Sequence, residues 1–332
     1  MRRAAQFSFA LSLLGVAIVL ASLWGSVPLP WSDFWLLVSD PQALPEASRL
    51  IISQLRLPRI LLAALVGASL ALAGCGLQGL LRNPLADPYI VGTSSGASLG
   101  ATLAIVWNLP NLTPYLSAVP AMAFIGALGA MFLVYRLAKV NNFLPVETFL
   151  LAGVIVGSFA GALVSLLLTM AGQDLQRVML WLMGTLEQPE GPATFWLLLP
   201  YLVGGGATLL CCAQPLNLLG LGEENAQALG VNVERLKLWV VAASSLMTAA
   251  AVSVAGMIGF LGLVVPHLTR RLVGPDHRWL LPLCALNGAT FLIVADMIAR
   301  VIIAPRELPV GVLTALVGAP FFFFILKCQR SN

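Results

Sequence analysis

Residues Ile60–Leu81 read ILLAALVGASLALAGCGLQGLL, a run that contains no Asp, Glu, Lys or Arg. A helix needs about 20 mostly apolar residues to cross the hydrocarbon core of a bilayer, so this run is long enough to span a membrane. Hydropathy and helix-breaking residues predict nine further spans of the same kind. They are Ala4–Trp24, Tyr89–Leu109, Tyr115–Leu137, Val146–Met170, Thr194–Cys212, Leu236–Val254, Met257–Val273, Trp279–Ile298 and Glu307–Leu326.

The composition of the whole chain agrees with such spans. Of the 332 residues, 59% are apolar and only 10% are charged, whereas soluble domains contain about 25% charged residues. A soluble enzyme is therefore excluded. We expect an all-α polytopic membrane protein of about ten transmembrane helices in a single domain, residues 1–332. The basic start Arg2-Arg3 is typical of a signal peptide, but the apolar run after it is long, so we interpret it as an uncleaved first span.

The basic residues indicate membrane topology rather than a nucleic-acid partner. The net charge is +4, but the 18 basic residues lie in ones and twos at the ends of apolar runs. Ten spans place both termini on one side of the membrane. If that side is the cytoplasm, six basic residues lie outside and the other twelve satisfy the positive-inside rule. The outer six are Arg49, Arg56, Arg59, Arg177, Arg300 and Arg306.

Metal binding is not predicted for this chain. The five cysteines are odd in number and lack C-x-x-C spacing, and most lie inside apolar runs, so they act as small apolar residues. The two histidines, His267 and His277, belong to no H-E-x-x-H motif. Metal sites usually need three or four closely spaced ligands.

Residues Gly92–Gly96 read GTSSG and match the G-x-S-x-G pattern that places a nucleophilic serine in hydrolases. Nothing around the motif is typical of a strand, and no matching acid and histidine are evident. A hydrolase centred on Ser94 is therefore a remote alternative. The motif is better interpreted as a small-residue start of the third span, continued by the G-x-x-x-G pair Gly96 and Gly100.

The inner connection, residues 213–234, is long enough to have structure of its own. Gly222 can interrupt the chain, Glu223 and Glu224 suit the first turn of a short helix, and Gly230 can end it. Ala226 and Leu229 lie three residues apart and are expected on one face. An apolar face on a short helix outside the membrane favours a groove in a partner protein, and the alternative is packing against the chain's own bundle.

Two further features concern the other side and the interior of the bundle. Residues 175–186 predict a short outer helix that cannot cross a bilayer. The fifth span carries Gly153, Gly157 and Gly161 on one helix face, which allows another backbone to approach closely. Packing within the bundle, a subunit interface and the lining of a pathway all remain open for these glycines.

The source of energy is not visible in this chain. A proton- or sodium-coupled carrier is expected to place ionisable groups near the middle of the membrane, but Asp296 and Glu147 lie near span ends. The Walker sequence G-x-x-x-x-G-K-[ST] is also missing from the sequence. We therefore expect a separate ATPase, and an ATPase-independent secondary carrier is the alternative.

The outer arginines are the exception to the charge map. Arg56-Leu57-Pro58-Arg59 precedes the second span, and Arg300 and Arg306 flank the last outer loop. Arginine binds carboxylates with two parallel hydrogen bonds, so these residues predict a site for an acidic partner or an anionic solute. For the isolated Arg49 and Arg177, simple snorkelling to the interface is preferred.

Together these motifs resemble the FecCD-type, vitamin B12 permease-like subunits of ABC importers for iron chelates, haem and cobalamin. The resemblance covers nearly the whole chain. The matching stretches are Arg56–Arg59 (RLPR), Gly79–Pro88 (GLLRNPLADP), Gly92–Gly96, Leu219–Gly230, Gly259–Arg270 (GFLGLVVPHLTR), Asp276–Arg278 (DHR), Ala295–Arg300 (ADMIAR) and Glu307–Pro320 (ELPVGVLTALVGAP).

The resemblance implies a type II ABC importer permease with ten helices in a bacterial inner membrane. It implies a second permease subunit, in a homodimer, with the translocation path at the dimer axis. It also implies two cytoplasmic ATPase subunits, which bind ATP and Mg²⁺, and a periplasmic or lipid-anchored binding protein, while this chain binds no cofactor. The implied cargo is an iron-siderophore chelate, with cobalamin or haem as alternatives.

The resemblance also assigns roles to individual residues. Arg56, Arg59 and Arg300 match positions that face acidic residues of the binding protein. Gly153, Gly157 and Gly161 match the path lining, and the inner gate falls at Val146 and Glu147, where this sequence departs from the small hydroxylated residues of the family. The ATPase-coupling positions are Leu219, Gly220, Leu221, Gly222, Glu223, Glu224, Ala226, Leu229 and Gly230.

Overall fold

The computed structural model describes residues 2–40, 43–113, 117–141, 143–187 and 193–330, and these residues form helices and loops without a β-strand. Short π- and 3₁₀-helical segments occupy Ile51–Arg56, Pro88–Val91 and Gly172–Asp174. The α-helices are α1 (Arg2–Leu23), α2 (Trp31–Ser39), α3 (Glu46–Leu50), α4 (Leu57–Leu80), α5 (Thr93–Val106), α6 (Ala118–Ala138), α7 (Val146–Met170), α8 (Leu175–Leu182), α9 (Ala193–Cys211), α10 (Ala213–Leu219), α11 (Glu223–Ala228), α12 (Val233–Ala255), α13 (Leu261–Val273), α14 (His277–Val301) and α15 (Val310–Arg330).

Ten of these helices correspond to the ten predicted spans, and the all-α polytopic fold is confirmed. The described residues contain six helical stretches that are long and apolar enough to cross a membrane, and α9 with α10 adds a seventh as a pair bent by 50°. The six are Arg3–Leu23, Glu46–Leu80, Ala118–Ala138, Val146–Met170, Val233–Ala255 and His277–Val301. Tyr115, where the fourth span was predicted to begin, lies outside the described residues.

Two predicted spans are shorter than expected, namely α5 with 14 residues and α13 with 13. At 1.5 Å per residue each covers only about 20 Å. The 3₁₀ turn Pro88–Val91 precedes α5, and the non-helical residues 256–260 precede α13. The Tyr89 hydroxyl donates to the Ile258 carbonyl and accepts from the Ile258 N–H, both at 3.0 Å. Backbone N–H and C=O groups outside helices need such hydrogen-bond partners within the protein, because the bilayer core contains no water to bind them.

Helix α4 is the centre of the bundle, and its glycines explain how closely its neighbours approach. A Cβ placed on Gly67 would lie 2.3 Å from the Gly288 carbonyl oxygen of α14, and one on Gly74 would lie 1.8 Å from the Gly262 carbonyl oxygen of α13. The helices therefore meet backbone to backbone, as in other small-residue contacts between membrane helices. Hydropathy alone gives the position of α4 along the chain but not its central place.

The bundle has two ends, which we call the amino-terminal face and the opposite face. At the amino-terminal face, the Gln6 side chain donates to the Leu272 carbonyl at 2.9 Å and Arg3 lies 3.9 Å from the Asp276 carboxylate. At the opposite face, α8 forms the predicted short helix but ends at Leu182 rather than at residue 186. The reason is Gly184, which has a φ of +73° and turns the chain away from the helix axis.

Candidate functional surfaces at the two ends of the bundle

The amino-terminal face carries the segment 213–234 as two short helices. Helix α10 continues α9 after the 50° bend, and Gly222, with φ +111° and ψ 154°, starts α11. A backbone in this region is essentially restricted to glycine. Gly230, with φ +87°, follows the end of α11. The helix between Gly222 and Gly230 is therefore present, as the two glycines predict.

The expectation that Ala226 and Leu229 share one free apolar face is wrong. Ala226 is fully buried against the bundle, whereas Leu229 is 59% exposed. The reason is that α11 ends at Ala228, so Leu229 follows in a non-helical conformation. The exposed leucines of this segment are Leu221, at 61%, and Leu229, and they flank α11 on either side.

Asn217 links α10 to the start of α14 through side-chain hydrogen bonds. Its side-chain N–H donates to Asp276 Oδ1 at 2.7 Å, and its carbonyl oxygen accepts from the His277 backbone N–H at 2.9 Å. The same oxygen lies 2.8 Å from His277 Nδ1. Hydrogen bonds from Arg278 are the main reason that the pKa of Asp276 falls to about 2, so this anchor stays ionised at neutral pH. The DHR motif was visible in the sequence, but nothing pointed to Asn217 as its partner.

At the opposite face, Arg56 is buried and holds the end of α1. Its guanidinium donates to the carbonyl oxygens of Ser22 and Leu23, both at 2.7 Å, and to that of Val27. The last carbonyls of a helix have no partner within the helix and carry partial negative charge, so a cation there is stabilising. The predicted docking residue Arg56 is therefore engaged within its own chain in this structure.

Asp296 lies between two arginines and is only 1% exposed. Arg59 Nη2 contacts Asp296 Oδ1 at 2.7 Å, and Arg300 Nε lies 3.1 Å from Asp296 Oδ2. Arg59 also donates to Glu307 Oε2 at 2.6 Å. Because a buried carboxylate needs paired charges, this arrangement explains the acidic residue near the end of the ninth span without an ion-coupling role.

The three predicted docking arginines come together around one cleft of about 260 Å³, which Glu187 and Glu307 also line. Arg56 and Arg300 are 5% and 3% exposed. The side chain of Arg59 is 14% exposed, so it is the most accessible of the three. Arg49, Arg177 and Arg306 are exposed and lie outside the cleft.

The predicted path glycines lie in three different environments along α7. A Cβ on Gly153 would come within 2.0 Å of the Ile90 carbonyl oxygen, so this position packs inside the bundle. One on Gly157 would touch the Ser95 hydroxyl at 3.4 Å, and one on Gly161 would meet no atom within 4 Å. The predicted gate residues are in the first turn of α7, where Val146 is half-buried and Glu147 exposed.

The GTSSG stretch begins a helix. Gly92 has φ +82° and precedes α5, and the hydroxyl of Ser95 donates back to the Gly92 carbonyl at 3.0 Å. The strand that a nucleophile elbow requires is missing from the described residues. The geometry therefore agrees with a small-residue helix start rather than with a hydrolase centre at Ser94.

The FecCD transport family matches residues 13–327. The cobalamin import system permease protein BtuC of Halobacterium salinarum is 48% identical over 305 residues, which cover 90% of this chain and 80% of that protein. The hemin transport system permease protein HmuU of Yersinia pestis is 41% identical, with 98% of this chain and 96% of that protein covered.

A solved structure agrees in fold as well as in sequence. A metal-chelate type ABC transporter in an inward-facing conformation superposes with a TM-score of 0.84 and 34% identity, covering 98% of this chain and 99% of that chain. The family match, the two relatives and this structure each extend over most of the helices described above. The chain therefore belongs to the FecCD transport family, whose members are membrane permease subunits of ABC importers.

Proposed function

We propose that this chain is the permease of a type II ABC importer that carries a metal chelate across the bacterial inner membrane. The observation that carries the proposal is the α10–α11 segment, which presents Leu221 and Leu229 to solvent at one end of the bundle. In this proposal the amino-terminal face is cytoplasmic, and two ATPase subunits that bind ATP and Mg²⁺ dock there. The permease itself is a homodimer surrounded by lipid, with the path at the dimer axis.

For the cargo, we propose an iron-siderophore chelate, with cobalamin and haem as the alternatives. The support for iron chelates is the family resemblance, whereas the two relatives named above are permeases for cobalamin and hemin. In this proposal the binding protein selects among such ligands. Uptake of the three chelates, each labelled at its metal, by proteoliposomes that contain the whole importer tests this directly.

The proposed mechanism is alternating access. A loaded binding protein docks at the opposite face, and ATP binding and hydrolysis in the partner subunits displace α10 and α11. A nucleotide can shift a conformational equilibrium only through differential contacts with the two states, and the exposed side chains of this segment supply those contacts. Gly157 and Gly161, together with the gate at Val146 and Glu147, then line the path, whereas Gly153 packs against the Ile90 carbonyl inside the bundle.

The test of the proposal is purification of the tagged chain from its native membranes in mild detergent. We expect an ABC ATPase in a one-to-one ratio with the permease, together with a binding protein. A folded chain that purifies alone, and that transports without ATP, would instead establish an ATPase-independent secondary carrier.

Replacing Leu221 and Leu229 together with serine is expected to weaken ATPase binding at least about 100-fold, because a buried leucine contributes roughly 1.5–3 kcal/mol. The fold should survive, since both side chains are exposed. Titration of the ATPase on permease in nanodiscs measures the effect. The matched control is Leu272→Ser, which replaces a 69% exposed leucine elsewhere on the amino-terminal face. Equal ATPase affinities for the wild type, the double variant and this control would contradict the assignment of the α10–α11 segment as the ATPase-binding surface.

Replacing Glu307 with glutamine is expected to strengthen docking of the binding protein by about three- to tenfold, as for an exposed charge pair of ~1 kcal/mol. We propose that an acidic side chain of the binding protein enters the cleft lined by Arg56, Arg59 and Arg300. In this structure Glu307 accepts a hydrogen bond from Arg59 in that cleft at 2.6 Å. Removing that charge frees Arg59 for the partner. Glu46→Gln, an exposed carboxylate outside the cleft, is the control. Unchanged or weaker docking in a binding titration would refute this role of the cleft.

A further inference from the structure

Lys237 is a buried cation in the second turn of α12, at the amino-terminal face. The residue is only 5% exposed, and its ammonium nitrogen lies 3.0 Å from a carboxylate oxygen of Glu223 and 3.0 Å from one of Glu234. Burying a lysine is costly unless it is paired. A packed apolar side chain at such a position is often as stable as an ion pair, so stability alone gives no reason for a charge here.

The two carboxylates belong to different parts of the chain, and one of them reaches a third. Glu223 is the first residue of α11, whereas Glu234 lies in the first turn of α12. The other carboxylate oxygen of Glu234 accepts a hydrogen bond from the Leu144 backbone N–H at 3.0 Å. Leu144 is itself 5% exposed and precedes the start of α7 by two residues. A continuous line of contacts therefore runs from α11 through Lys237 to the entrance of α7.

This line connects two segments that belong to different halves of the chain. Helix α11 presents exposed residues to solvent, whereas α7 begins with Val146 and Glu147 and carries the glycine stripe. Both carboxylate oxygens of Glu234 are engaged, one by Lys237 and one by Leu144. A displacement of α11 must therefore break one of these contacts, with Lys237 or between Glu234 and Leu144, or move the start of α7 with it.

We propose that Lys237 is a positioning residue that transmits displacement of α11 to the start of α7. The inference rests on the proposed function, because it takes α11 as the segment on which an ATPase subunit acts. It adds the route by which that action reaches the helix of the predicted gate. Lys237 touches neither cargo nor nucleotide in this account, and its role is exercised through Glu223 and Glu234.

The test measures chelate transport and ATP hydrolysis on the same proteoliposomes, which contain the permease with its ATPase and binding protein. For Lys237→Met we expect hydrolysis to continue while the chelate transported per ATP falls at least about tenfold, within the usual range of coupling between sites. Lys237→Arg should restore the ratio, since a guanidinium can bridge both carboxylates. Lys139→Met, which removes an exposed lysine at the end of α6 on the same face, should leave the ratio unchanged.

If Lys237→Met transports as much chelate per ATP as the wild type, the inference is overturned. A proportional loss of transport and hydrolysis together with less folded protein overturns it too, because the ion pair would then have only a structural role. If Lys237→Met does not fold, Glu223→Gln replaces it. This variant weakens only the more exposed end of the contact, and a wild-type ratio again overturns the inference. A wild-type permease that neither assembles with an ATPase nor transports would refute the proposed function itself, before any variant is compared.

Discussion

Replacing Gly74 with valine is expected to prevent the protein from reaching its folded state. The added Cβ would lie 1.8 Å from the Gly262 carbonyl oxygen, so α4 and α13 would have to separate. Overpacking a core costs roughly 1–3 kcal/mol when side chains can adjust, and more when they cannot. Here backbone meets backbone, so we expect a loss above about 3 kcal/mol, a large share of the roughly 5–15 kcal/mol of a typical domain.

The measurement for Gly74→Val is gel filtration of detergent-solubilised membranes with fluorescence detection, which reports folded and aggregated permease separately. We expect the folded peak to be nearly absent. The matched control is Gly129→Val in α6, because a Cβ there meets no atom within 4 Å. A folded peak of the same size in both variants would show that α4 and α13 are less closely packed than described.

Replacing Gly222 with valine is expected to abolish transport while the protein still folds and enters the membrane. Gly222 has φ +111°, and a side chain there adds about 1–3 kcal/mol of backbone strain. Because α11 has only six residues, unwinding its first turn relieves that strain more easily than any change in the bundle. The surface that we propose for the ATPase would then lose its shape.

For Gly222→Val, transport per folded permease and the midpoint of thermal unfolding are measured on the same preparation. We expect no transport and a nearly unchanged midpoint. The control is Gly172→Val, another glycine with positive φ, +50°, and open space around it, but at the opposite face. A Gly222 variant that transports at the wild-type rate would contradict the coupling role of the segment.

Local sequence patterns were sufficient to place the ten predicted spans along the chain but not to give all of their ends. The predicted span Val146–Met170 coincides with α7, because its start at Pro145 and its apolar composition are both local properties. The break at Gly222 was predictable for the same reason. The start of α13 was not, because residues 256–260 are apolar yet non-helical, with Phe260 at φ +66°. Hydropathy measures transfer into the membrane and does not distinguish helix from irregular backbone.

Contacts between distant parts of the chain were beyond prediction from one sequence. The outer arginines were recognised as unusual, but the pairing of Arg59 with Asp296 joins residues 237 positions apart. The Asn217 anchor and the contacts of Lys237 are also formed only when the helices pack. In each case the residue types were visible, whereas the geometry that gives them a role depends on the arrangement of helices in space.

The Tyr89 hydroxyl has a consequence for biosynthesis. Its partner Ile258 follows 169 residues later, and at about 5–20 residues per second a ribosome needs roughly 10–30 s to make that stretch. During this interval the Tyr89 hydroxyl needs a different hydrogen-bond partner, either water at the membrane interface or another polar group of the protein. The contact that joins the turn before α5 to the irregular residues before α13 can therefore form only after Ile258 has been synthesised, late in the production of the chain.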